Sequence, residues 1–250
     1  MTELDSPHSD NRPVAIITGA GGGLGRTFAT ALANAGWRIA AFGRTPSTLE
    51  QTISGLRTGG VDEKEHIAVP CDIADVQAVA KAFATVTEHF GRLDLLVNNA
   101  GVPGPTGELD SIAVDEFEHT IATNLRGTFL CTQQAFAWMK NHGGGRIINN
   151  GSIAAHSPRA GTAAYAASKA AVASLSVSTS LDGRPYGITC TELDIGNART
   201  ELLGSFTGSE PMFDAAEAAT MLVAAASLPA NVSVDQLTVT AAGMPYLGRG

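Results

Sequence analysis

Tyr165 and Lys169 stand four residues apart in the run Tyr165-Ala-Ala-Ser-Lys169. Four residues is about one helical turn, so on a helix both side chains share a face. A phenol alone is a poor acid or base at neutral pH, its ordinary pKa being about 10, and a fixed positive charge close by favours the phenolate. The pair is therefore suited to exchanging a proton with an alcohol or a carbonyl. An exposed helix can carry Tyr and Lys at this spacing as surface decoration, so the reading depends on company. Ser152 closes an apolar run upstream, Asn124 lies further back, and a glycine-rich turn opens the chain at Thr18-Gly19-Ala20-Gly21-Gly22-Gly23-Leu24-Gly25.

That turn falls between a short apolar strand, Val14 to Thr18, and an Ala-rich helix, Thr27 to Gly36. Glycines let the backbone turn tightly and approach a ligand, and the helix that follows offers unpaired N–H groups and a positive dipole end to a pyrophosphate. The alternation then repeats. Strands are expected at Arg38 to Phe42, His66 to Pro70, Leu93 to Val97, Arg146 to Asn150, Ile188 to Leu193 and Leu237 to Thr240. Helices are expected at Ser47 to Leu56, Val76 to Phe90, Asp115 to Lys140 as one long element, and Ala163 to Leu181. Such alternation predicts an α/β fold in a single domain, with a parallel sheet covered by helices on both faces and ligands at the carboxyl ends of the strands. The domain spans 13–250, and the polar residues 1–12 read as a loose tail.

Composition excludes several function classes. With 250 residues, 44% hydrophobic and 16% charged, the chain is ample for a large buried core. A formal net charge of −8 gives no footing for nucleic acid or an anionic membrane, which leaves small molecules as partners. Cys71, Cys131 and Cys190 are too scattered for a disulfide framework or a zinc cluster; buried thiols in a reducing compartment are expected, and no metal site. The start lacks a basic region and an apolar core, and no uncharged apolar stretch approaches the roughly 18 residues of a membrane span, so a soluble, cytoplasmic protein is expected.

These motifs together resemble the classical short-chain dehydrogenase/reductase family, whose TGxxxGxG pattern matches Thr18 to Gly25. The resemblance runs from about Val14 to Thr200 and includes Asn98-Asn99-Ala100-Gly101 after the fourth strand, Asn124, Ser152 and the Tyr165/Lys169 pair, in the family's order. It implies a Rossmann-type doubly wound sheet and an oxidoreductase that interconverts a secondary alcohol and a ketone or related carbonyl. In that reading Tyr165 is the general acid or base, and Lys169 holds the nicotinamide ribose. Ser152 donates to the substrate oxygen, and Asn124 holds a water linking Lys169 to solvent. On the residues alone, Ser152 could instead satisfy a turn and Asn124 its own backbone. The implied cofactor contacts are Gly19, Gly23, Leu24, Gly25, Arg44, Asp72, Ile73, Asn99, Ala100, Gly101, Tyr165, Lys169 and Thr200. Asp72 would bond the adenine amino group, and an Asp there also suits a helix cap.

NAD-specific relatives place an acidic residue at the end of the second strand, whereas here Gly43 precedes Arg44. A carboxylate repels a 2′-phosphate and a guanidinium pairs with one, so NADP(H) is expected, with NAD(H) the alternative if Arg44 only stacks on adenine or faces solvent. The family's Pro-Gly after the sixth strand is Ile195-Gly196 here. A short substrate lid is expected within 197–215, and the tail from Ala241 to Gly250 reaches toward a neighbouring subunit. His156 and Arg159 read as a solvated loop. The small side chains between Ala160 and Ser180, with the run Phe117 to Met139, suit the four-helix interface usual in the family, which implies a homotetramer or a dimer. Two other readings stand beside this one: a dinucleotide-sensing protein without turnover, and an extended-type epimerase or dehydratase, for which the chain is short.

Overall fold

The computed structural model describes residues 11–56, 65–199 and 210–245. Seven strands form one parallel sheet: β1 (Val14–Thr18), β2 (Arg38–Gly43), β3 (His66–Pro70), β4 (Leu95–Asn98), β5 (Gly145–Asn150), β6 (Ile188–Gly196) and β9 (Gln236–Thr240), in the spatial order β3-β2-β1-β4-β5-β6-β9. A small parallel pair, β7 (Ala198–Arg199) and β8 (Phe213–Asp214), stands apart. The order reverses between β1 and β4, and at such a switch point the crossovers diverge to opposite faces and leave a crevice at the strand ends.

Successive residues of a strand face opposite sides, and both sides are buried here. Val14 and Ile16 of β1 join Phe42, Leu96 and Ile147 under α3 (Val76–Phe90) and α5 (Thr128–Asn141). Ala15 and Ile17 join Ile39, Leu95 and Val97 under α1 (Gly23–Asn34), α2 (Pro46–Leu56) and α7 (Ala215–Ala226). This is why the strands read as unbroken apolar runs rather than alternating ones. Each fully buried Ile, Leu or Phe contributes on the order of 1.5–3 kcal/mol.

The long helix expected from Asp115 to Lys140 is α4 (Val114–Ile121) running through a π-helical stretch, Ala122–Gly127, into α5. β6 continues past Leu193 to Gly196, because Ile195, unlike a proline, keeps its N–H and pairs opposite Val239. Helix α7 occupies a segment where no element was expected; its Ala-rich sequence shows little periodicity, and burial of Ala218, Leu222 and Ala225 against the sheet decides it. Helix α6 (Ala163–Gly183) carries Tyr165 and Lys169. At the expected tail, Asn11 and Arg12 are anchored: Arg92 Nη1 donates to the Asn11 carbonyl at 2.9 Å, and Arg12 pairs with Glu65 at 2.6 Å. Residues 1–10 lie outside the described residues. No helix among the described residues is long and apolar enough to cross a membrane.

Candidate active site

A cleft of about 540 Å³ opens at the carboxyl ends of β1, β2 and β4. Helix α1 begins at Gly23, ahead of the expected Thr27, because the glycines of the turn enter its first turn, where Arg26 N donates to Gly22 O at 3.1 Å. Gly22 supplies no side-chain cap, so the helix start keeps N–H groups free for an anion. The turn holds its shape through close approaches only glycine allows. A Cβ at Gly25 would lie 2.1 Å from the Gly19 carbonyl oxygen, and Gly19 itself has φ +67 with Ala100 Cα 2.9 Å from where its Cβ would be. Arg26, which no sequence pattern marks, fastens the turn to α2 through Thr52 Oγ1 at 3.0 Å and donates to Gly21 O at 2.5 Å.

Thr18 ties the turn to the segment after β4. Its hydroxyl accepts from the N–H groups of Asn99 (2.9 Å) and Ala100 (3.0 Å), and its carbonyl accepts from Asn99 Nδ2 at 2.9 Å. Asn150 Nδ2 in turn donates to Asn99 Oδ1 at 3.0 Å. The carboxyl ends of three strands are thereby locked in one arrangement below the cleft.

Tyr165 and Lys169 both line the cleft, and Lys169 Nζ stands 5.7 Å from the centroid of the Tyr165 ring. Lys169 is 6% exposed as a residue, and its ammonium donates to the Asn150 carbonyl at 2.6 Å, which fixes its direction. Asn124 and Ser152 are buried and stand outside the cleft lining. Asn124 sits in the π-helical stretch and grips Val102 at both ends, Oδ1 accepting from its N–H at 2.8 Å and Nδ2 donating to its carbonyl at 3.0 Å; Nδ2 also reaches Ser168 Oγ at 3.1 Å. Ser152 caps the short 3₁₀ turn Ile153–Ala155, its Oγ accepting from Ala154 N at 3.2 Å, and its hydroxyl proton remains available for donation.

Every other expected cofactor contact among the described residues lines the same cleft: Gly19, Gly23, Leu24, Gly25, Arg44, Asp72, Ile73, Asn99, Ala100 and Gly101. Thr200 and the middle of the expected lid lie outside the described residues. Arg44 is exposed at the rim and makes no hydrogen bond or ion pair among the described residues. Asp72 does not cap α3; that role falls to Asp75, which accepts from Gln77 N and Ala78 N, while Asp72 accepts from Ala74 N at 3.0 Å. His119, Thr123 and Asn150 also line the cleft, and no motif in the sequence marks them, since each reaches it only through chain folding.

His156 and Arg159 are not a free loop. Arg159 pairs with Glu210 and donates to Asn197 Oδ1 at 3.2 Å, closing the base of the β7–β8 pair. His156 Nε2 lies 3.1 Å from Asp194 Oδ2, and Gln236 Nε2 lies 2.9 Å from both of those atoms. Glu192, two residues before Asp194 on β6, completes a cluster of three potential metal ligands, where sequence reasoning expected none. His156 lies 36 and 38 positions from the two carboxylates, which left no spacing signal for the set. Burial and the neighbouring Asp194 push the Glu192 carboxyl up to about 7.

The short chain dehydrogenase family model matches residues 13–210. The 2,3-dihydro-2,3-dihydroxybenzoate dehydrogenase of Bacillus subtilis (strain 168) is 34% identical over 197 residues, covering 79% of this chain and 74% of that protein. Among solved structures, a variant actinorhodin polyketide ketoreductase with NADPH superposes with a TM-score of 0.86 at 29% identity, over 94% of this chain and 98% of that one. A 3-ketoacyl-(acyl-carrier-protein) reductase from Brucella melitensis complexed with NADH gives 0.84 at 26% identity, with the same coverage. With a family model matched over most of its length and relatives of this kind across the same fold, this chain belongs to the short-chain dehydrogenase/reductase family of oxidoreductases.

Proposed function

We propose that the protein is an NADP(H)-dependent oxidoreductase that interconverts a secondary alcohol and a ketone or related carbonyl, with Tyr165 as the general acid and base. The observation that carries this reading is the meeting of Tyr165 and Lys169 with the uncapped start of α1 in one cleft of about 540 Å³. The cradle fits a dinucleotide: free N–H groups stand where a pyrophosphate needs donors, and the backbone is bare of side chains at Gly19 and Gly25. Gly19, Gly23, Leu24 and Gly25 would hold the pyrophosphate, Asp72 and Ile73 the adenine, and Arg44 a 2′-phosphate. Asn99, Ala100, Gly101, Lys169 and Thr200 would hold the nicotinamide half. When bound, the reduced nicotinamide supplies a hydride.

Reduction of a carbonyl also requires a proton at its oxygen, and Tyr165 Oη delivers it. In the oxidising direction Tyr165 takes that proton back. Lys169, aimed by the Asn150 carbonyl, places a positive charge beside the phenol. Ser152 donates to the same substrate oxygen as negative charge gathers there, and Asn124 keeps the loop after β4 and helix α6 at fixed separation.

A panel of ketones and secondary alcohols, followed by absorbance of the reduced nicotinamide, tests the reaction class. With a substrate in hand, Tyr165→Phe is expected to lower kcat by about 10²–10⁴-fold, the range for removing a general acid, while cofactor affinity holds. Turnover equal to the parent at normal cofactor affinity rules Tyr165 out as the acid.

A further inference from the structure

Away from the cleft, under the turn that Ser152 caps, the sheet holds two carboxyl groups with little to neutralise them. Asp194 is 0% exposed and Glu192 4% exposed, and Asp194 Oδ1 and Glu192 Oε1 meet no N–H or O–H donor among the described residues. Both oxygens converge over Gly151, where a Cβ would lie 2.3 Å from Oδ1 and 3.0 Å from Oε1. The basic groups that act on Glu192 are Lys169 and His156, and the first is directed at the Asn150 carbonyl. A buried carboxylate without a paired charge is costly, so a proton or a cation must stand here.

The third wall supplies a nitrogen ligand. Gln236 Nε2 lies 2.9 Å from both His156 Nε2 and Asp194 Oδ2. With a proton on Nε2, His156 donates to Asp194 Oδ2; in the other tautomer its lone pair faces that oxygen at 3.1 Å and is open to a cation. A divalent ion bound between them takes the place of the Nε2 proton. Neighbouring ligands of a metal held at about 2.1 Å are themselves about 3 Å apart, which is the His156–Asp194 spacing. The ligand atoms of His156, Glu192 and Asp194 all lie within 4.8 Å of one another.

We propose that His156, Glu192 and Asp194 form a binding site for one divalent transition cation that ties the turn after Ser152 to the sheet between β6 and β9. One imidazole with two carboxylates is a mixed nitrogen and oxygen set, which suits the Mn²⁺ to Zn²⁺ series better than Mg²⁺ or Ca²⁺, whose sites are built of oxygen alone. The ion is positional: His156 ends the 3₁₀ turn that Ser152 begins, so holding the imidazole holds that turn.

The full chain, dialysed against a chelator and then titrated with Mn²⁺ or Zn²⁺ by calorimetry, is expected to take up one ion per chain and to melt at a higher temperature with it. Asp194→Asn and His156→Ala are each expected to abolish uptake. The His156 side chain is 39% exposed, so His156→Ala leaves the core packed, and what it should lose is the rise in melting temperature that metal gives the parent. No uptake by the parent at millimolar metal, as when the two carboxyls merely share a proton, overturns the proposal. Uptake that survives both substitutions overturns it equally, because the ion then sits elsewhere.

Discussion

At the end of β2 the chain places Arg44 where an acidic residue would repel a 2′-phosphate, and the guanidinium stands exposed on the rim of the cleft. A charge-assisted hydrogen bond contributes about 1.5–3 kcal/mol, so Arg44→Ala should weaken NADPH roughly tenfold to hundredfold and leave NADH nearly unchanged, as read by fluorescence titration. Equal affinity of the parent for both dinucleotides defeats the NADP assignment. The three cysteines offer a second test at this scale. Burial pushes the Cys71 thiol up to about 11 and Cys190 up to about 12, and it raises Cys131 as well. Since a raised thiol pKa disfavours the reactive thiolate, none should react with a thiol reagent at pH 8 in the folded protein, and all should react once it is denatured. Rapid labelling of Cys71 in the folded chain contradicts its burial. Tyr165, Lys169 and Arg44 were legible because they stand in company, in the order of a family pattern with the glycine turn, Asn124 and Ser152, and the three line one cleft. His156 and Arg159 were not, because a histidine or arginine in a polar stretch gains meaning only from Asp194 and Glu210, and those come from distant parts of the chain.

Among the elements, the glycine turn is the least forgiving. The clash that a Cβ at Gly25 makes with the Gly19 carbonyl and with Asn99 Nδ2 is mainly with backbone, which no rotamer change relieves. Gly25→Ala should therefore cost about 1–3 kcal/mol of stability and most of the dinucleotide affinity, measured by thermal melting and cofactor titration. Unaltered cofactor binding in that variant would show that the turn is not the cradle. The long helix from α4 to α5 was legible as one periodic run, whereas its π-helical stretch was not. The wider turn has no marker in residue type, and it exists where Asn124 is drawn inward to hold Val102 and Ser168. Helix α7 has no marker for the converse reason, since small Ala side chains on every side of it blur the amphipathic pattern.

For the molecule as a whole, the outer side of α6 presents a stripe of Ala167, Ala170, Ser174, Val177 and Leu181 at helical spacing, with Val177 60% and Leu181 52% exposed. Phe117 on α4 and Phe129 on α5 are also part exposed, at 39% and 45%. Apolar side chains held in water along a row favour a partner surface, and we propose a closed homo-oligomer, a tetramer of the 25.6 kDa chain, through these helices. Light scattering of an active sample is expected to give four times the mass of one chain. A monomer mass at micromolar concentration refutes the assembly, and Leu181→Glu should lower the mass if this stripe is the contact.

The sequence by itself determined the alternation of apolar strands and helices, the place of the glycine turn at the first strand's end, and the Tyr165/Lys169 face, because all of these are local patterns with a fixed period. The tertiary structure decided what depends on residues far apart meeting. Asn150 aims Lys169 across 19 positions, Thr18 binds Asn99 across 81, and His156 reaches Asp194 across 38. Periodicity says which face a side chain takes, but only the packing of one element on another says what that face meets.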